Sequence, residues 1–135
     1  MRKLLSTKTS PNAFALGTLI LRVGISVLMI MHGYDKLTHF TEYTSKFQDP
    51  FHISPSFSFS LLVFAEFFCS AFLILGLFTR FACIPLIIAM LVALGSAHKW
   101  EVFGNGQAAA LFLLCYLVIF AFGPGRISLD RALGK

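Results

Sequence analysis

The chain has 135 residues, of which 57% are hydrophobic and 13% charged, and its net charge is +5. Soluble domains run near ~45–50% apolar and about 25% charged, so this composition excludes intrinsic disorder and argues against a water-exposed globule, whose surface so few charges could not cover. The mean hydropathy of +0.81 points instead to lipid. The basic residues sit at the chain ends and between apolar blocks, without interleaved aromatics, so no nucleic-acid partner is implied.

Crossing ~30 Å of hydrocarbon takes about 20 apolar residues at 1.5 Å each. Residues 13–33 form the first such run, with Arg22 as its only charge. Arg2, Lys3 and Lys8 precede it, as in a signal peptide. The apolar stretch is nevertheless too long, it carries an arginine midway, and no small-x-small cleavage site follows, so the helix is expected to be retained. Residues 34–56 form the only long connection, in which Phe40, Tyr43, Phe47 and Phe51 recur at three- and four-residue steps. Such a segment could lie in the headgroup layer as an amphipathic cover, or act as an anchor that sets helix tilt.

The second span covers residues 57–78, with Glu66 as its only charge, and the third, uncharged, covers residues 81–97. The fourth covers residues 108–122, after a Gly104-Asn105-Gly106 turn and before the Gly123-Pro124-Gly125 stop. The predicted fold is therefore all-α: one transmembrane domain over residues 1–135, an integral membrane four-helix bundle. Arg2, Lys3, Lys8, Arg80, Arg126, Arg131 and Lys135 fall on one side, against Lys36, Lys46 and Lys99 on the other. Seven against three places both termini in the cytoplasm.

Arg22 and Glu66 stand out because a charge at a helix centre costs ~2.5–3.5 kcal/mol on insertion scales. Counted from the expected outer ends of their helices, Arg22 lies about 16 Å deep and Glu66 about 13 Å deep, which predicts that they face each other. Thr18, Arg22, Ser26, Met29 and Gly33 share one face of the first helix, and Glu66, Cys69, Ser70 and Leu73 one face of the second. Small and polar residues of this kind let helices approach in lipid. The pair is either an ion pair that fixes the packing or the floor of a ligand or proton site.

His32, His39, His52 and His98 all fall at the outer face, with Asp35, Lys36, Lys99, Trp100 and Glu101 close in sequence. They are read as a polar mouth leading toward Glu66 and Arg22. Helix-end histidines facing water and headgroups are the plainer reading. No H-x-x-x-H spacing supports a metal site, so none is expected. Cys69, Cys83 and Cys115 lie inside apolar stretches with no C-x-x-C, and read as buried thiols. Cys69 and Cys115 could meet across the second and fourth helices. There is no nucleotide loop, no G-x-S-x-G elbow and no C-x-x-C-H for covalent haem.

Three segments carry a resemblance to a known family: Leu21-Arg22-Val23-Gly24 with His32-Gly33-Tyr34-Asp35-Lys36-Leu37, then Glu66 with Leu75-Gly76-Leu77-Phe78-Thr79-Arg80, and finally Gly123-Pro124-Gly125-Arg126-Ile127-Ser128-Leu129-Asp130. In order and spacing they resemble the DoxX family of small four-helix bacterial membrane proteins. The resemblance implies a multi-pass inner-membrane protein with both termini inside. It also implies an association with membrane redox systems, among them the thiosulfate–quinone oxidoreduction of relatives called DoxD.

The expected function is a subunit of a membrane redox or stress-response system rather than a complete enzyme. A small apolar pocket open to the outer side would hold a quinone or a small sulfur compound. Arg22 and Glu66 would form its floor, and His32, Lys36 and His98 its mouth. Asp35, Cys69, Trp100 and Cys115 are secondary candidates. The partners expected are the lipid bilayer and either other subunits of a redox complex or further copies of the chain. A small-solute transporter or channel, and a ligand-free scaffold subunit, are the alternatives.

Overall fold

The computed structural model describes residues 4–46, 54–97, 103–104 and 106–134, with the backbone alone at positions 46, 55, 96 and 97. All regular structure among them is helical. Helix α1 spans Pro11–Thr38, 28 residues long. The Ser10 hydroxyl accepts from the Ala13 amide and Pro11 takes the first helical position, two standard start signals. The helix runs five residues past its expected end at Gly33, and α2 (Phe40–Lys46) follows after a single break at His39. Much of the expected outer connection is therefore helix.

Helix α3 (Pro55–Phe64) starts in the same way, with Ser54 capping the Phe57 amide. It passes without a break into a π-helical turn, Ala65–Cys69, and then into α4 (Ser70–Leu75), which ends at left-handed Gly76. Helix α5 (Thr79–Val92) also ends in a π turn, Ala93–Ala97. Helices α6 (Gln107–Phe122) and α7 (Leu129–Ala132) complete the chain.

The α1 helix and the 20-residue run Ser56–Leu75 are each long and apolar enough to cross a membrane. At 1.5 Å per residue they measure about 42 Å and about 30 Å. The α5 and α6 runs are shorter and also apolar.

Helix α1 packs along the α3–α4 run and against α6, and α5 packs on α6 and on the first π turn. Met29, Cys69, Leu73, Cys83, Leu86, Tyr116 and Ile119 fill the space between them. The outward faces are also apolar: Ile20 is 63% exposed, Phe81 76% and Leu111 57%. A continuous apolar exterior of this kind is what lipid covers and water does not tolerate. Helix α1 approaches the π turn closely at Gly33, where an added Cβ would lie 2.9 Å from the Phe67 amide nitrogen. Glycine there sets the register between α1 and the π turn.

At the opposite end the C-terminal segment packs on the α4–α5 turn. The Asp130 carboxylate accepts from the amides of Phe78 (2.8 Å) and Thr79 (2.9 Å), so a residue from the C-terminal segment caps the start of α5. The Asp130 amide in turn donates to the Gly76 carbonyl at 2.9 Å. Phe78 holds the left-handed backbone at φ 49°, a conformation costly for a phenylalanine, where the carboxylate can reach both amides. Asp130→Ala should lower unfolding stability by about 1–2 kcal/mol, as loss of an N-cap does. Chemical denaturation in bicelles measures this, and an unchanged midpoint would refute the capping role.

Candidate functional site

Glu66 lies in the π turn, with a side chain 3% exposed, and its Oε1 accepts from Lys36 Nζ at 2.7 Å. A π turn inserts one residue into the helical ladder and is often found where a side chain has to be re-aimed. Lys36 reaches down from the last turn of α1 and stays 26% exposed, so the pair links a buried carboxylate to the rim of the molecule. The second carboxylate oxygen, Oε2, is buried and makes no hydrogen bond among the described residues. A buried acceptor without a partner is costly, which marks this carboxylate as a strained point of the bundle.

Beside this pair is a cavity of about 130 Å³, bounded by Met29, His32, Lys36, Glu66, Met90 and Phe112, with Ala93, Ala108 and Ala109. Its walls are mostly apolar and its polar groups converge at one end, as in small-molecule sites. His32 meets the edge of Phe112 at 5.8 Å. Phe112 stacks on fully buried Tyr116 at 6.3 Å, and the Tyr116 phenol faces Ser70 one turn inward of Glu66.

Arg22 does not belong to this site. Its Nε donates to the Leu73 carbonyl at 2.8 Å, one terminal nitrogen to the Pro124 carbonyl, and the other to the Ile127 carbonyl at 2.8 Å. The expected Arg22–Glu66 pair is thus replaced by two separate devices. Pairing Arg22 with Glu66 requires Gly33 and Phe57, the expected outer ends of the two spans, to lie level. Gly33 in fact packs against Glu66 and Phe67, which raises Glu66 to the level of the last turns of α1. Arg22 then lies 11 residues, about 16 Å, further down. Lys36, three residues beyond Gly33 on the same face, takes the acid instead.

The residues around Arg22 come from all three segments that stood out in the sequence. A Cβ at Gly76 would lie 2.5 Å from Ser128 Cβ and 3.1 Å from Arg22 Cζ, and one at Gly125 would lie 2.5 Å from Thr18 Oγ1. Both glycines have positive φ, so the tight turn and the close approach each exclude a side chain. Arg80 holds the Phe120 carbonyl at 3.1 Å, and Arg126 bonds Asn12 Oδ1 at 2.7 Å. Arg22 is the centre of a structural latch that clamps the C-terminal segment.

Residues 17–99 match the family model described as DoxX. The chain belongs to the DoxX family. An uncharacterised protein of Haemophilus influenzae is 30% identical over 101 residues, which cover 71% of this chain and 67% of the relative. No solved structure matches.

In this DoxX chain the remaining candidates separate as follows. Asp35 is exposed at the rim, where its Oδ2 accepts from the Tyr43 hydroxyl at 2.6 Å and its Oδ1 lies 3.3 Å from His39 Nδ1. That hydrogen bond, with the charge of Asp35, holds the Tyr43 phenol above its ordinary pKa. Tyr43 and Phe40 also pack on Phe59, at 6.1 and 5.2 Å, which fixes α2 against α3. His98, Trp100, Phe47, Phe51 and His52 lie outside the described residues.

Cys69 and Cys83 are buried in the core and Cys115 is half-buried; all three are free thiols, so Cys69 and Cys115 are not joined. Among the described residues no group of three or more metal-ligating side chains converges. The large pocket residues that the sequence does not single out are Phe112 and Met90, with Ala93, Ala108 and Ala109 beside them. Both read as ordinary core until the third and fourth helices are placed beside Glu66.

Proposed function

We propose that this DoxX protein is a multi-pass inner-membrane four-helix bundle with cytoplasmic termini, serving a membrane redox or stress-response system as a subunit. Its working part is the Glu66–Lys36–His32 pocket, which opens to the outer side. The observation that carries this reading is the buried Glu66 carboxylate, held on one oxygen by Lys36, in the wall of a mostly apolar cavity. Charged groups within a membrane are expensive and are kept mainly for binding or proton movement.

Size and charge narrow the ligand. A cavity of about 150 Å³ holds one benzene ring, so about 130 Å³ suits a single ring or a small anion. Lys36 and Glu66 cancel, which leaves little net positive charge for a sulfur oxyanion and favours the neutral ring of a quinone headgroup. In that case the tail would leave between helices into lipid, and Glu66 or His32 would handle the proton. Mass spectrometry of small molecules co-purifying with the protein, compared between wild type and Glu66→Gln, tests this. A ring compound present in the wild type and depleted at least about tenfold in the variant, a loss of about 1.4 kcal/mol, is the expected result. Equal amounts in both, or none in either, would overturn it.

One observation favours a second reading, passage of a proton or small solute. The hydroxyls of Ser26, Ser70 and Tyr116 are buried without a hydrogen-bond partner among the described residues, Ser26 one turn from Arg22 and Ser70 one turn from Glu66. Flux through liposomes that is abolished by Glu66→Gln would support it.

A further inference from the structure

The opposite end of the bundle holds a second cleft, of about 230 Å³, between the start of α5 and the Gly123-Pro124-Gly125 turn. Exposed Phe78, Arg80 and Phe81 line its mouth, Pro124 faces them, and buried Thr79 and Asp130 lie at its base. The cleft exceeds the ~150 Å³ that takes a benzene ring, so a phosphate group fits with room for part of what it esterifies.

Charge is unbalanced here. Asp130 is the only carboxylate at this end among the described residues; it is buried, and its two oxygens accept from backbone amides. Arg80 lies across the last turn of α6, its Nε donating to the Phe120 carbonyl at 3.1 Å and its Nη2 to the Ala121 carbonyl at 3.4 Å. Those bonds leave most of the guanidinium hydrogens to donate. Among the described residues no carboxylate lies within ion-pair distance of Arg80. The same bonds hold the guanidinium plane in place, so an anion that binds it costs little side-chain order. Lys8, Arg126 and Arg131 are exposed at this end and add to a positive field.

An apolar track leads away from the cleft. Phe81, Ile84, Ile88 and Leu91 recur at three- and four-residue steps on the outer face of α5, and all four are exposed. From Phe81 to Leu91 the track rises about 15 Å. A fixed cation at the foot of an apolar track, at the level where helices end, matches a phosphate that carries acyl chains. A soluble phosphate would use the cation and leave the track empty.

We propose that this cleft seats an anionic phospholipid, its phosphodiester on the Arg80 guanidinium and an acyl chain along Phe81, Ile84, Ile88 and Leu91. The Glu66 pocket plays no part in it. A zwitterionic lipid offers the same phosphate but brings an ammonium into a field that is already positive. The seat bridges the start of α5 and the C-terminal turn, so an occupied seat ties from outside the segments that the Arg22 latch clamps from within.

Calorimetry on the full chain in uncharged detergent micelles, with blank micelles subtracted and salt at about 0.15 M to screen diffuse attraction, tests the proposal. The probes are dioctanoyl phosphatidylglycerol, dioctanoyl phosphatidylcholine and glycerol 3-phosphate. Phosphatidylglycerol should bind at least about tenfold more tightly than either of the others. Arg80→Gln should cut that preference to less than about twofold, whereas Arg131→Gln should keep it within about twofold of wild type.

Phosphatidylcholine binding as tightly as phosphatidylglycerol overturns the proposal, as does the absence of binding by any probe. Glycerol 3-phosphate binding as tightly would make this a site for soluble anions and remove the lipid. Equal losses from Arg80→Gln and Arg131→Gln would replace the seat with a diffuse field. If Arg80→Gln fails to fold, the wild-type ratios stand and Phe81→Ser replaces it, since that side chain is 76% exposed. Phe81→Ser should weaken phosphatidylglycerol at least about threefold, and unchanged binding would overturn the proposal.

Discussion

Arg22→Met should release the C-terminal segment and lower unfolding stability by about 2–4 kcal/mol. The guanidinium makes three hydrogen bonds, to the carbonyls of Leu73, Pro124 and Ile127. Bonds to charged groups contribute about 1.5–3 kcal/mol each in soluble proteins, and interhelical polar bonds in membranes nearer 0.6, so the sum falls between those limits. Methionine keeps the length and apolar contact of the side chain but takes the guanidinium donor from the Pro124 and Ile127 carbonyls and leaves Leu73 with the Gly76 amide alone.

Arg22→Lys should recover less than half of the loss, because a point ammonium cannot span carbonyls that a planar fork reaches in three directions. Hydrogen exchange should show the damage first in the 123–132 segment and at the start of α5, since Asp130 caps that helix. Protection that drops around Glu66 instead would mean that Arg22 belongs to the pocket after all.

Lys36→Met should cost about 3 kcal/mol or more, while the double variant with Glu66→Met should fold about as well as wild type. Removing one partner of a buried pair strands the other charge, whereas replacing both with apolar groups of similar size is often neutral. Glu66 is the stranded group here, with 3% of its side chain exposed. Glu66→Met alone should cost less, because Lys36, 26% exposed, can turn its ammonium outward. The double variant should nevertheless lose ring binding altogether. A folded double variant that retains a co-purifying ring compound like wild type would reduce the pair to a packing device.

The membrane character and the helical content were legible in the sequence, because composition and apolar run length are local properties. The helix starts carry a signal that the apolar runs, beginning at residues 13 and 57, do not include: Ser10-Pro11 and Ser54-Pro55 are each a cap followed by a proline. Helix ends were less legible, as nothing in Tyr34 to Thr38 stops a helix and α1 simply continues. The polar pairing depended on register between two helices, which is set by one close contact at Gly33. A glycine facing a neighbouring backbone looks the same in sequence as one facing lipid; Gly17 and Gly24 in the same helix have no atom within reach of an added Cβ.

Glu66 and Arg22 were both recognisable as costly groups that needed partners. Their partners are a lysine beyond the apolar run and a set of backbone carbonyls, and neither carries a sequence signal of pairing. The π turn that aims Glu66 is likewise invisible, since its five residues, Ala65–Cys69, read as ordinary helix.

The central claim is that the two charges of the apolar spans serve two separate devices, Glu66 with Lys36 in a pocket and Arg22 in a latch. Double-mutant cycles on unfolding stability in bicelles test it most directly. Lys36 and Glu66 should couple by about 3 kcal/mol or more, while Arg22 and Glu66, separated by about 16 Å along the bundle, should be additive within about 0.5 kcal/mol. Strong coupling between Arg22 and Glu66, with none between Lys36 and Glu66, would contradict the account.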